Sequence, residues 1–121
     1  MRMKSLLAAA AIMLAPLAAE ARGWTIIDLG TVATKEACQK VGLQLFERQG
    51  STLQVDSAGR HIAAYGLRGL DIDGAIGCGV QSDGRTAVIL TLHTWTFDSD
   101  LDATRLDLAR EMEGIWDGLP K

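Results

Sequence analysis

Four residues carry the side chains best suited to chemistry: His61, His93, Cys38 and Cys78. An imidazole titrates near neutral pH, so His93 could act as a general base or hold a metal ion. His93 lies in the alternating run Leu90-Thr-Leu-His-Thr-Trp95, and no motif supplies it with a partner. His61 adjoins a turn and, by the strand register argued below, faces the other way. A two-histidine metal site is therefore not expected. A small hydrolase-like enzyme would need the fold to bring Asp or Ser residues to His93 beside a concave pocket.

The acidic clusters read most simply as caps and solvated loops. Asp71-Ile-Asp73-Gly74 is too short for a calcium loop. Asp98-Ser-Asp-Leu-Asp102 has Ala103 and Ala109 where such a loop needs glycine and glutamate. A serine nucleophile elbow, a phosphate-cradling glycine loop, a paired-cysteine zinc motif and a redox Cys-x-x-Cys are all missing. No catalytic residue, metal or cofactor is assigned.

The cysteines point to structure rather than catalysis. Arg2 and Lys4 precede an apolar run from Leu6 to Ala19 that contains Pro16. A membrane-spanning helix needs roughly 20 apolar residues, so this shorter run reads as the core of a secretory signal peptide. Ala19-Glu20-Ala21 offers the small residues of a cleavage site, which divides the chain into a leader, 1–21, and one domain, 22–121. No cysteine follows the run where a lipid would attach, so no stable membrane anchor is expected. In an oxidising compartment Cys38 and Cys78 should join each other, closing a loop worth roughly 3–4 kcal/mol. Two buried free thiols are the alternative. A reactive thiol in Gly77-Cys78-Gly79 is disfavoured, because alternation places Cys78 among Ile76 and Val80, where a thiolate is costly.

Cleavage would remove two cations and one carboxylate, moving the formal charge from −3 to −4. A mildly acidic domain with scattered bases is poorly suited to nucleic acid, which draws on clustered Lys and Arg.

The elements that position these residues follow from periodicity. Trp24–Ala33 is rich in β-branched residues and predicts a strand. Thr34 can cap a helix over 35–49, whose inner face is Cys38, Val41, Gly42, Leu45 and Phe46, with Gly50 as its left-handed stop. Two similar segments, Val55-Asp-Ser-Ala-Gly-Arg-His61 and Val80-Gln-Ser-Asp-Gly-Arg-Thr86, suit hairpins with three-residue loops and left-handed Gly59 and Gly84. The second hairpin should pair Val80 with Thr86, Cys78 with Val88 and Ile76 with Leu90. The same rule in the first pairs Val55 with His61 and Leu53 with Ala63, turning Leu53, Val55 and Tyr65 toward the helices and Ile62 and Ala64 away. The connection 67–74, with three charges and two glycines, reads as the least ordered. After a strand over 85–97, Asp98-Ser-Asp100 can start a helix carrying Leu101, Leu108, Ala109, Met112, Ile115, Trp116 and Leu119 on its apolar stripe. The order β-α-β-β-β-β-α implies an α+β, two-layer sandwich: an antiparallel sheet of about five strands with both helices on one face.

The other sheet face would carry Ile62, Ala64, Gly77, Gly79, Ile89, Thr91, His93 and Trp95, and no element remains to cover it. An open apolar face of this kind marks a surface for a protein partner or small ligand. A second copy of the chain is a further candidate occupant, and cover by the first strand or the loop near Leu70 is the structural alternative. The Ala-rich leader, a cysteine in the first helix and one in Gly-Cys-Gly resemble small exported bacterial domains. That resemblance implies a periplasmic or secreted bacterial protein and carries no site residue. The expectation is a non-enzymatic binding module of the bacterial envelope.

Overall fold

Thr86, Val88, Leu90, Leu92 and Thr94 are buried while their alternates are exposed or half-buried, so one strand, β5 (Thr86–Thr94), separates two unlike faces. Around it the computed structural model, which describes residues 23–50, 52–55 and 59–121, builds a five-stranded antiparallel sheet. The expected leader and cleavage site lie outside those residues. Strands β1 (Trp24–Val32), β2 (Thr52–Val55), β3 (His61–Tyr65) and β4 (Ile72–Val80) complete the sheet in the order β1-β5-β4-β3-β2. Two helices, α1 (Lys35–Glu47) and α2 (Ser99–Gly118), pack on the buried face. The chain has an α+β fold.

Both helices start where side chains can take their free amides. The Ala37 amide donates to Thr34 Oγ1 (3.1 Å) and the Leu101 amide to Asp98 Oδ1 (2.9 Å). Cys38, Val41, Leu45 and Phe46 of α1, with Leu108, Ala109, Met112 and Trp116 of α2, meet Ile62, Ile72, Ile76, Val88, Leu90 and Leu92 of the sheet. The close fit depends on Gly74: a methyl group there would lie 2.9 Å from Phe46, 3.0 Å from Leu92 and 3.2 Å from Leu67. Cys38 and Cys78 form the expected disulfide, joining α1 to β4. No helix among the described residues is long and apolar enough to cross a membrane.

The second hairpin has the expected register, with Val80, Cys78 and Ile76 opposite Thr86, Val88 and Leu90. The Gly84 amide donates to the Gln81 carbonyl (3.0 Å), and Gly84 is left-handed at φ 86°. The first hairpin slips by one residue from expectation: Val55 pairs with Ile62 and Leu53 with Ala64. Because side chains alternate, that slip exchanges both faces of β3. Ile62 and Ala64, expected on the open face, are 0% exposed against the helices, whereas His61 and Tyr65 lie outside. The cause is core filling. β3 also pairs with β4, where Ile62 stands opposite Ile76, and the shifted register buries an isoleucine while leaving the imidazole in water.

The segment after β3 also departs from expectation. Leu67–Gly69 forms a 3-10 turn whose Leu67 is fully buried. Arg68 donates from Nε to Gln49 Oε1 (2.9 Å) and pairs with Glu111 on α2 (2.7 Å). That hydrogen bond holds the Glu111 carboxyl below its ordinary value. The charges that marked this connection as the least ordered are instead ties: Arg68 to α2 and to Gln49 just beyond α1, Asp71 to Thr96, and Asp73 to Trp95 and the Gly66 amide.

A candidate binding face on the open side of the sheet

On the face away from the helices, antiparallel pairing lines up residues in rows across the strands. One row runs Trp24 (β1), His93 (β5) and Asp73 (β4). Tyr65 (β3) continues it, next to Ala64, which pairs with Gly74. The His93 ring lies 4.1 Å from that of Trp24 and 4.6 Å from that of Trp95, meeting the latter edge-on. The Trp95 indole donates to Asp73 Oδ2 (2.6 Å), and the other oxygen of Asp73 accepts from the Gly66 amide (3.0 Å). Tilted and edge-on ring contacts of this kind hold a cluster without burying it. Trp95 remains 68% exposed.

The next row is small. Thr91, Ala75 and Ala63 stand side by side and floor a depression of about 170 Å³ walled by Trp24, Tyr65, His93 and Trp95. Beyond it Ile89, Gly77 and His61 form a third row, and Ala87 and Gly79 a fourth. Added methyl groups at Gly77 and Gly79 would meet no atom within 4 Å, and neither glycine has a positive φ. Packing and backbone conformation therefore give no reason for glycine at either position.

Of the expected face residues, Gly77, Gly79, Ile89, Thr91 and His93 lie on this side and Trp95 stands over its end. Ile62 and Ala64 do not, as corrected above. Trp24, Ile26, Ala63, Tyr65 and Asp73 were not anticipated. Alternation within Trp24-Thr-Ile marks β1 as two-faced, but only its pairing with β5 brings Trp24 to His93.

Charged groups lie at both ends of the face. Asp71 and Asp73 lie at the aromatic end, where Thr96 Oγ1 donates to Asp71 Oδ2 (3.1 Å). Arg85 lies at the hairpin end, where its Nε donates to Thr31 Oγ1 (3.0 Å). Among the described residues, neither these aspartates nor Arg85 has an ion-pair partner. His93 has its two ring contacts and no hydrogen bond to a hydroxyl or carboxylate among those residues. No group of three or more His, Cys, Asp or Glu side chains suited to a metal occurs among them. No protein-family model, curated protein or solved structure matches the chain.

Proposed function

We propose that this protein is a non-enzymatic interaction module of the bacterial envelope, working through the open face of its sheet. The observation that carries it is the exposed cluster of Trp24, His93 and Trp95, held at one end of a sheet face over which no described element passes. Ile26, Tyr65 and Ile89 extend the same apolar surface. Contiguous exposed apolar patches of this kind commonly mark a partner or ligand surface. The disulfide supports an oxidising compartment, and the leader-like N-terminal sequence supports export to the periplasm or beyond.

The enzymatic alternative asks more of His93 than its surroundings offer. A histidine general base is held in orientation by a neighbouring acceptor and takes its proton from a group within hydrogen-bond reach. The nearest carboxylate across the strands, Asp73, already accepts from Trp95 and Gly66. These contacts support recognition over proton transfer.

The combined substitution Ile89→Lys and Trp95→Lys tests the proposal. Wild type and variant, each tagged, are incubated with envelope extract of the host, and retained proteins are compared, untagged copies of this chain included. Circular dichroism and unreactive thiols would establish that the variant is folded. Loss of the retained species by tenfold or more is expected. An unchanged profile from a folded variant would overturn the proposal.

A further inference from the structure

We infer that the occupant of the open face is a second copy of this chain, packed face to face about a two-fold axis lying across the strands. The inference rests on the interaction-module reading and names its partner. It starts from an asymmetry along the strands. Bulk and negative charge gather at one end of the face: Trp24, His93, Trp95, Tyr65, Asp71 and Asp73. At the other end stand the small Ala87, Gly77 and Gly79 and the cation Arg85, with the carboxylates of Asp28 and Asp83 nearby.

A closed dimer that buries one sheet face on itself can place its axis along the strands or across them. An axis along the strands sets like ends together, so aromatic clusters collide and the aspartates oppose aspartates. An axis across them, over the paired Ile76 and Leu90, turns one copy end for end. Counting equal steps from that pair, His93 then falls over Ala87, Asp73 over Gly79, Ala75 over Gly77 and Trp95 over Arg85 of the second copy. His93 and Asp73 each meet a small residue, and Trp95 meets the Arg85 side chain. The same turn brings Asp71 and Asp73 beside Arg85, supplying the ion pairs these three groups lack within one described chain.

Two further observations agree. Glycine weakens a strand interior and often marks close approach of another backbone or a ligand, and nothing within the chain accounts for Gly77 or Gly79. Three nine-residue strands about 30 Å long and the shorter β2 and β3, spaced about 4.8 Å apart, offer roughly 600 Å² of flat face, of the order of the ~800 Å² each partner contributes to a standard interface.

The test is the mass of the purified protein by analytical ultracentrifugation from micromolar to millimolar concentration. A concentration-dependent dimer is expected. Arg85→Glu alone and Asp71→Arg alone should each raise the dissociation constant about tenfold, and the two together should restore it. Gly79→Phe should abolish dimerisation while the monomer stays folded, because the new side chain projects into open space. A dimer indifferent to these substitutions would use another surface and overturn the inference. So would a monomer at every concentration. If that monomer still loses extract partners with Ile89→Lys/Trp95→Lys, the face serves a different protein and the interaction-module proposal stands. If it retains none to lose, both fall.

Discussion

Arg105 is a cation in a place built for leucine. It lies within the apolar stripe of α2, four residues before Ala109, and is 2% exposed. Its Nε donates to Thr25 Oγ1 and one terminal nitrogen to Thr94 Oγ1, both at 2.9 Å, and that nitrogen also pairs with Asp102 at 2.5 Å. Both threonines are buried on the helix side of β1 and β5, and their neighbours in sequence are Trp24, His93 and Trp95. One guanidinium thus ties α2 to the strand ends that present the aromatic cluster. Arg105→Ala should cost about 3 kcal/mol in urea unfolding, because it strands two buried hydroxyls and leaves a cavity. Arg105→Lys keeps the charge but loses the planar fork, and should cost about 1–2 kcal/mol with a weaker near-ultraviolet circular dichroism from the tryptophans. A change below about 0.5 kcal/mol for the alanine variant would show that the network contributes little.

At the scale of elements, β4 separates the two faces by what its glycines can tolerate. Gly74 faces the core and has no room for a methyl group, whereas Gly77 faces outward with nothing near it. Gly74→Ala should destabilise by about 1–3 kcal/mol through overpacking. Gly77→Ala should be neutral or stabilise by up to about 1 kcal/mol, since alanine loses less freedom in a strand. Thermal unfolding of the two variants side by side checks this, and an equal loss from both would mean that the outer face is not open. The same contrast explains what could be read from sequence. The β4–β5 register was legible because Asp83-Gly84 fixes a local turn, and turn chemistry lies within a few residues. The β2–β3 register was not, because a non-local demand, filling the core with Ile62 rather than His61, decides it. Arg105 was invisible to a search for apolar periodicity. Half of the candidate face was invisible too, since the Trp24–His93 contact depends on strand order, which joins β1 to a strand late in the chain. The helix caps at Thr34 and Asp98, being local, were read correctly.

For the molecule as a whole, the disulfide contributes a large part of what holds the two layers together. A domain of about 100 residues buries a modest core, and its folding free energy falls in the range of about 5–15 kcal/mol. The Cys38–Cys78 bond spans a sequence separation of 40 and crosses the two layers, from α1 to β4, the middle strand of the sheet. Loop-closure entropy then assigns it roughly 3–4 kcal/mol, a large share of that total. Cys38 is fully buried and Cys78 nearly so, so a reductant reaches them only through opening of the domain. The oxidised protein should therefore resist reduction under native conditions and lose the bond readily in moderate urea. Once reduced, its urea midpoint should fall by roughly 2 M at an unfolding slope typical of this size. The Cys38→Ala/Cys78→Ala variant should behave like the reduced chain, with a further loss from the vacated volume. Paired unfolding curves with and without reductant give the number directly. A shift worth less than about 1 kcal/mol would mean that packing of α1 on the sheet suffices without the bond. In that case the open face would form as well in a reducing compartment as in an oxidising one, and the case for an envelope location would rest on the N-terminal sequence alone.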